Sequence, residues 1–193
     1  MYDLRFTIYE IIPRRDALVN RKSQILDLRP LTLDFGLKMS DHKATIAWKR
    51  TSEEFLKGKY SREHTWSFDG GLSVPASPSP SVVPAPWSNP AHIDPEEAFV
   101  ASLSSCHMLT FLWLASKQGF QLDSYHDEAV GVTSKNEKGI PWVSAVTLHP
   151  RIAYSGPKLP TPADEERLHH LAHEQCFIAN SVKTEIKVEP VQA

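Results

Sequence analysis

Apolar and polar positions alternate in short runs from Lys43 onward, and the alternation changes period twice along the chain. "KATIAW" and "REHTWSFD" carry the period of two expected of half-buried strands, and Asp69-Gly70-Gly71 after the second is a hairpin turn signal. "LSVPAS" begins the return strand. Residues 75 to 95 hold seven of the fifteen prolines. Proline removes a ladder donor and restricts the residue before it, so this stretch reads as an extended surface loop.

The period then becomes helical. Asp94 suits an N-cap, Pro95 the first helical position and Glu97 the third position of a capping box. The helix is expected to run to about Lys117 and stop at Gly119. Ala98, Phe99, Leu103, Met108, Leu109, Phe111, Leu112, Trp113 and Leu114 surround it on nearly every side, the pattern of a core helix wrapped by sheet. "YHDEAVGVTS", "WVSAVTLHPRIAYS" and "VKTEIKVEP" read as strands. "TPADEERLHHLAHEQC" reads as a second helix capped by Thr161, with Pro162 first and an apolar stripe of Leu168, Leu171 and Ala172 leading to Cys176. The expected order is three strands, a buried helix, two strands, an amphipathic helix and a last strand. That is an α+β fold.

Residues 1 to 38 differ from the rest. They are basic and irregular, and "MSDHKATIAW" from Met39 reads like an ordinary protein start. The division expected is an N-terminal extension, 1–38, and a single domain, 39–193. A chain of 193 residues can bury one real core. Net charge −2 argues against a nucleic-acid or membrane-surface partner. The most apolar run, residues 98 to 115, is interrupted by Ser102, Ser104, Ser105 and Thr110 and is read as too short to span a membrane. The first residues lack the apolar core of a signal peptide. Two cysteines are too few for a secreted disulfide framework, so a reducing cytoplasm is the expected compartment.

Both cysteines then become candidates for chemistry. A free cysteine in a Leu/Ala helix is ordinarily core. A reactive thiol needs a cation for its thiolate and access for its substrate. Cys106 lies three turns into its helix, where the dipole has faded, so the cation must come from elsewhere. No arginine occurs between Arg62 and Arg151. Arg62, beside the hairpin, is the preferred candidate, with Arg50 and Arg151 behind it.

"DPEEAFVASLSSCHML" resembles the helix motif of the OsmC/Ohr family, in which Pro-Glu-Glu is followed ten residues after its first Glu by the reactive cysteine. "AHEQCFIANSVKTEI" resembles that family's second cysteine motif. The resemblance covers about residues 42 to 190. It implies antiparallel sheets wrapped around a central helix in an intertwined homodimer, and reduction of organic hydroperoxides to alcohols without a cofactor. It also implies a Cys–Cys disulfide intermediate reduced by an external dithiol, such as that of a lipoylated protein. Carried over by position, Cys106 is the peroxidatic cysteine, Cys176 the resolving one and Glu96 the residue that orients the arginine. The family's Gly-Gly-Arg context is absent, since this chain reads "YSREH" around Arg62.

Geometry constrains the assignment. Ten residues of straight helix rise roughly 15 Å and leave two side chains about 80° apart. One arginine cannot then touch both Glu96 and Cys106 of one straight helix. Either the helix is interrupted near the serines, or Glu96 reaches the site from a partner subunit. Glu96 otherwise serves simply as an acid complementing the helix dipole.

Trp87, on the proline-rich loop, could close over an apolar substrate. Phe99 and Met108 could line the same pocket, although packing is the simpler account of both. His169, His173 and Cys176 have spacings that zinc could use, but a solvated charged face fits that segment better and no metal is expected. His107 points about 100° from Cys106 and is not read as its base. The alternative to the peroxidase is a non-enzymatic binder of apolar ligands that keeps the fold around an inert cysteine.

Overall fold

A computed structural model of the chain describes residues 41–191. The expected boundary at Met39 lies outside those residues. The first three strands, β1 (Ala44–Ala47), β2 (His64–Phe68) and β3 (Ser73–Ala76), form an antiparallel sheet in that order. Ile46 pairs with Trp66 and Trp66 with Val74, which places the three on one face. Thr45, Ser67 and Ser73 share the other, where the two serine hydroxyls are 2.7 Å apart. The apolar face is open: Ile46 and Phe68 are both exposed.

Helix α1 runs unbroken from Pro95 to Lys117. Both halves of its capping box form: Asp94 Oδ1 accepts from the Glu97 amide at 2.7 Å, and Glu97 Oε2 accepts from the Asp94 amide at 3.1 Å. Gly119 closes it at φ +77°, a backbone that side-chain-bearing residues rarely adopt. The serines do not interrupt it. Ser102 Oγ donates to the Phe99 carbonyl and so spends its polarity on its own helix. α1 therefore does meet the length and hydropathy of a spanning helix, with 23 residues and a window of mean hydropathy 1.5, contrary to the sequence expectation. One face of it packs into the core. Leu103, His107, Phe111 and Leu114 recur every three or four residues and are fully buried.

The helix is not wrapped on every side within the chain. Ala101, Ser105 and Leu109 form an outer face that stays exposed.

Two sequence-predicted strands each prove to be two. Residues 121–155 make β4 (Gln121–Asp127), β5 (Val130–Lys135), β6 (Pro141–Leu148) and β7 (Pro150–Ser155). β4 pairs with β7, while β5, β6 and β8 (Glu185–Val188) form a second sheet with β8 parallel to β6. The two breaks face each other, and Asp127 explains both. One of its carboxylate oxygens accepts from the His149 amide at 2.6 Å, and the other accepts from the Ser104 hydroxyl of α1. A side chain that satisfies backbone at the bend competes with continuation of the ladder.

The second helix, α2 (Pro162–Gln175), carries a Thr161–Asp164 capping box. It lies against the C-terminal half of α1, where Phe111, Leu114, Ala115, Phe120, Ile152, Leu168 and Ala172 form one core cluster. Leu103, Val146 and Leu148 centre a second cluster on the N-terminal half. Cys106 and His107 fall between the two.

Phe111 is fully buried at the centre of the larger cluster. Phe111→Ala is expected to cost about 3–5 kcal/mol, measured as a lower urea midpoint. Leu109→Ala, on the open face, is expected to cost well under about 1 kcal/mol in the isolated chain.

Candidate active site at the two cysteines

The docking of α2 on α1 brings the two cysteines together. Cys176 is the C-cap of α2 and leaves the helix in extended backbone (φ −70°, ψ 115°). Its thiol lies close enough to that of Cys106 for the two to interact. Both cysteines are free thiols; Cys106 is half-buried and Cys176 is 1% exposed. The Ala179 amide donates to Cys176 Sγ at 3.4 Å, a contact supplied by the turn after α2. Burial pushes the Cys176 thiol up to about 11, and the interaction with Cys106 acts in the same direction. The amides of Ala179 and Ile178 oppose this without overcoming it. At neutral pH Cys176 is therefore protonated.

The other site candidates are dispersed within the chain. Glu96 is exposed in the first turn of α1. Since α1 is unbroken, the alternative of an interrupted helix is removed, and Glu96 and Cys106 of one chain lie far apart on it. Arg62 is held from three sides in the loop before β2. Its amide donates to the Trp87 carbonyl at 3.1 Å, and its guanidinium donates to the Tyr60 carbonyl at 3.0 Å while lying 4.1 Å over the Tyr60 ring. The third hold comes from His64. Trp66 Nε1 donates to His64 Nε2, which leaves His64 Nδ1 to donate to the Arg62 carbonyl at 2.9 Å. Arg62 and Trp87 thus share one platform, and its guanidinium is directed at Tyr60 rather than at Glu96 or Cys106.

Phe99 packs in the second core cluster, as its simpler account has it. Met108 lines a cavity of about 890 Å³ together with Val100, Val130, Trp142, Ser104 and Glu96. Cys106 is not among the residues that line that cavity.

The histidines correct one sequence expectation. His169 is not on a solvated face; it is 4% exposed, and its Nδ1 lies 3.1 Å from Nε2 of His107, itself 1% exposed. The two rings stack with centroids 5.4 Å apart, and Phe111 covers His169 at 4.4 Å. Burial lowers His107 to about 4, helped by the nearby charge of His173 and opposed by Asp127. Burial likewise lowers His169 to about 3, with His107 adding to it. Both are neutral at physiological pH. The signal for this pair was present in the sequence, since His107 continues the ladder of Leu103 and Phe111, and His169 is flanked by Leu168 and Ala172. Among the described residues no three histidine, cysteine or carboxylate side chains are arranged to hold a metal ion.

The family profile for OsmC-like proteins matches residues 88–191, and the chain belongs to that family. An OsmC-like protein of unknown function from Vibrio cholerae is 55% identical, with 79% of this chain and 100% of that one aligned at a TM-score of 0.77. An organic hydroperoxide resistance protein OsmC from Legionella pneumophila shares 16% identity over 81% of this chain and 99% of its own, at a TM-score of 0.59. The organic hydroperoxide resistance protein OhrB of Bacillus subtilis shares 18% over 80% and 98%, at 0.54. The last two show a common fold. No curated protein sequence matched.

The unequal burial of the thiols sets their reactivity towards alkylation. In the reduced native chain, iodoacetamide at pH 8 is expected to modify Cys106 at least tenfold faster than Cys176. Peptide mass mapping of a time course measures the ratio.

Proposed function

We propose that this protein is a cytoplasmic thiol peroxidase that reduces organic hydroperoxides to alcohols. The observation that carries the reading is the contact between two reduced cysteines, one half-exposed and the other buried and protonated. Such a pair divides the work. A buried thiol held near 11 is a poor nucleophile at neutral pH, so attack falls to Cys106 and resolution to Cys176.

In the first step the Cys106 thiolate attacks the distal oxygen of the hydroperoxide. An S–O bond forms, the O–O bond breaks, and the alkoxide takes a proton and leaves as the alcohol. Cys106 is then a sulfenic acid, oxidised by two electrons. Cys176 attacks that sulfur, and its proton leaves with the displaced hydroxide as water. The disulfide that results is reduced by an external dithiol, which supplies two electrons and two protons.

The working unit in this reading is a homodimer. The open apolar face of β1–β3 and the open face of α1 are surfaces that a second copy would cover, which supports the reading. Because Glu96 and Cys106 lie far apart on one straight helix, the cation and its carboxylate partner would be assembled across the two-fold axis, with Arg62 and Glu96 contributed relative to Cys106 from different chains. An apolar substrate chain bound against Met108 and Trp142 in the cavity would gain about 0.8 kcal/mol per buried methylene.

One observation favours a second reading. The 890 Å³ cavity runs beside Cys106 rather than over it, which would suit a binder of apolar ligands with an inert cysteine.

Turnover separates the two. Cys106→Ser is expected to abolish consumption of an alkyl hydroperoxide in the presence of a dithiol while leaving the far-ultraviolet spectrum unchanged. Substoichiometric hydroperoxide should give an intramolecular Cys106–Cys176 link on non-reducing peptide mapping, and Cys176→Ser should instead accumulate sulfenic acid at Cys106 after one turnover. Undiminished turnover by Cys106→Ser would overturn the peroxidase reading.

A further inference from the structure

The proposed cycle uses neither of the two buried imidazoles beside it. We infer that the contact between His107 and His169 is a positioning element that holds α1 and α2 at the spacing the thiol pair needs, and that acid releases it. In this role the pair rests on the peroxidase reading only for the use to which the thiols are put.

The placement is specific. His107 follows Cys106 directly, and His169 stands two helical turns before Cys176 on α2. The hydrogen bond between Nε2 of one and Nδ1 of the other lies in the apolar middle of the seam, under Phe111 and Leu168, whereas the thiol pair and the Arg167–Gln118 bond at 2.8 Å lie away from it. Such a bond needs one ring to present N–H and the other a lone pair. A neutral pair meets that requirement in either of two tautomeric arrangements. A singly protonated pair could keep the central bond, but it would bury a second N–H at an outer nitrogen. His107 Nδ1 and His169 Nε2 are both buried without a partner among the described residues. A proton added there has no acceptor and no solvent, and its charge would be buried as well.

The surrounding groups do not compensate. On α2 the pair faces His173, a second potential cation, and His170, Glu165, Glu166 and Arg167 lie around the groove between α2 and β8. His170 pairs outward with Glu174, and Arg167 with Asp164. β8 meets that groove with Ile186 and Val188, which carry no charge. β4 contributes Tyr125, against Phe111, and Asp127, whose charge favours a protonated His107. Asp127, however, already accepts hydrogen bonds from Ser104 and the His149 amide. β7 contributes Tyr154, packed on the same cluster, and the two thiols complete the set.

The sign follows from linkage. Each imidazole titrates lower in the closed seam than the 6.5 of a free histidine, His107 at about 4 and His169 at about 3. The open seam therefore binds protons that the closed one refuses. Closure is at full strength above about pH 6.5 and weakens as pH falls towards 4, by up to about tenfold per pH unit for each histidine released.

The test uses full-length reduced protein and two readouts at pH 7.5 and pH 5. One is amide hydrogen exchange in α1 and α2, corrected for the intrinsic pH dependence of exchange. The other is the Cys106–Cys176 disulfide equilibrium against a reference dithiol. In the wild type both seam protection and disulfide stability are expected to fall at least tenfold more at pH 5 than in the double variant of His107 and His169. His107→Gln and His169→Asn place an amide near the bonding nitrogen of each ring but cannot take up a proton. Each should retain most of the protection at pH 7.5 and keep only the part of the acid response carried by the remaining histidine, and the double variant should lose it. An unchanged acid response in both variants, or full seam protection of the wild type at pH 5, would overturn the inference. If the exchange result holds but no disulfide forms at either pH, the two-cysteine cycle is wrong and the seam inference stands.

Discussion

The docking of α2 on α1 is the constraint from which the site follows. It places Cys106 and Cys176 in contact although seventy residues separate them in the chain. His107, Phe111 and Leu114 of α1 meet Leu168, His169 and Ala172 of α2 across this seam. Magnitudes show which of these residues hold it closed. Each fully buried Leu or Phe contributes about 1.5–3 kcal/mol, and the cluster holds several. Two outer imidazole nitrogens buried without partners cost about 1–3 kcal/mol each, more than one neutral hydrogen bond returns. The apolar cluster closes the seam, and the histidines reduce its stability. Leucine and phenylalanine at both positions would give a tighter interface. What the imidazoles add is a single directional bond, which fixes rotation and register between two helices in a way apolar packing does not.

The difference between the thiols arises from the same seam. Cys176 sits at the point where α2 ends and the chain turns through Ala179 towards β8, so it is covered by the turn as well as by α1. Cys106 lies on the flank of α1, between the buried ladder and the open face of Ala101, Ser105 and Leu109. A position one residue from His107 lies about 100° around the helix. That offset is enough to leave Cys106 half-exposed while His107 is sealed. Burial raises the Cys176 thiol. The chemistry of the pair is therefore ordered by where each sulfur stands relative to one packed face.

Much of this architecture is legible in the sequence because it is encoded locally. The Asp94–Glu97 capping box, the Thr161 cap, the prolines at the first helical positions and Gly119 at the end of α1 are short-range signals, and each forms as expected. What the sequence left hidden depends on distant partners. "YHDEAVGVTS" shows no sign that it bends, because the bend is made by Asp127 accepting from Ser104, twenty-three residues away, and from His149, twenty-two away. His169 stands in a run rich in charge, and the neighbouring Leu168 and Ala172, although a local sign of burial, do not identify the partner that covers it, sixty-two residues earlier. The positions of the two cysteines follow from motif and stripe, whereas Arg62 is fixed by Tyr60, His64 and Trp87 on a sheet whose relation to α1 no local pattern specifies.

The straightness of α1 limits what a single chain can assemble. A break at Ser104 or Ser105 would have let one chain fold its own Glu96 back towards Cys106. Instead Ser102 caps its excess polarity on Phe99, Ser104 gives its hydroxyl to Asp127 and Thr110 Oγ1 donates to the Cys106 carbonyl, so the polar residues of the run reinforce the helix or its packing. Glu96 is then kept at one end of a rigid rod and Cys106 near its middle, roughly 15 Å apart. Arg62, rigid on its own platform, has no route through this helix to both. One chain of this geometry therefore cannot bring its own Glu96 and Cys106 to a single cation.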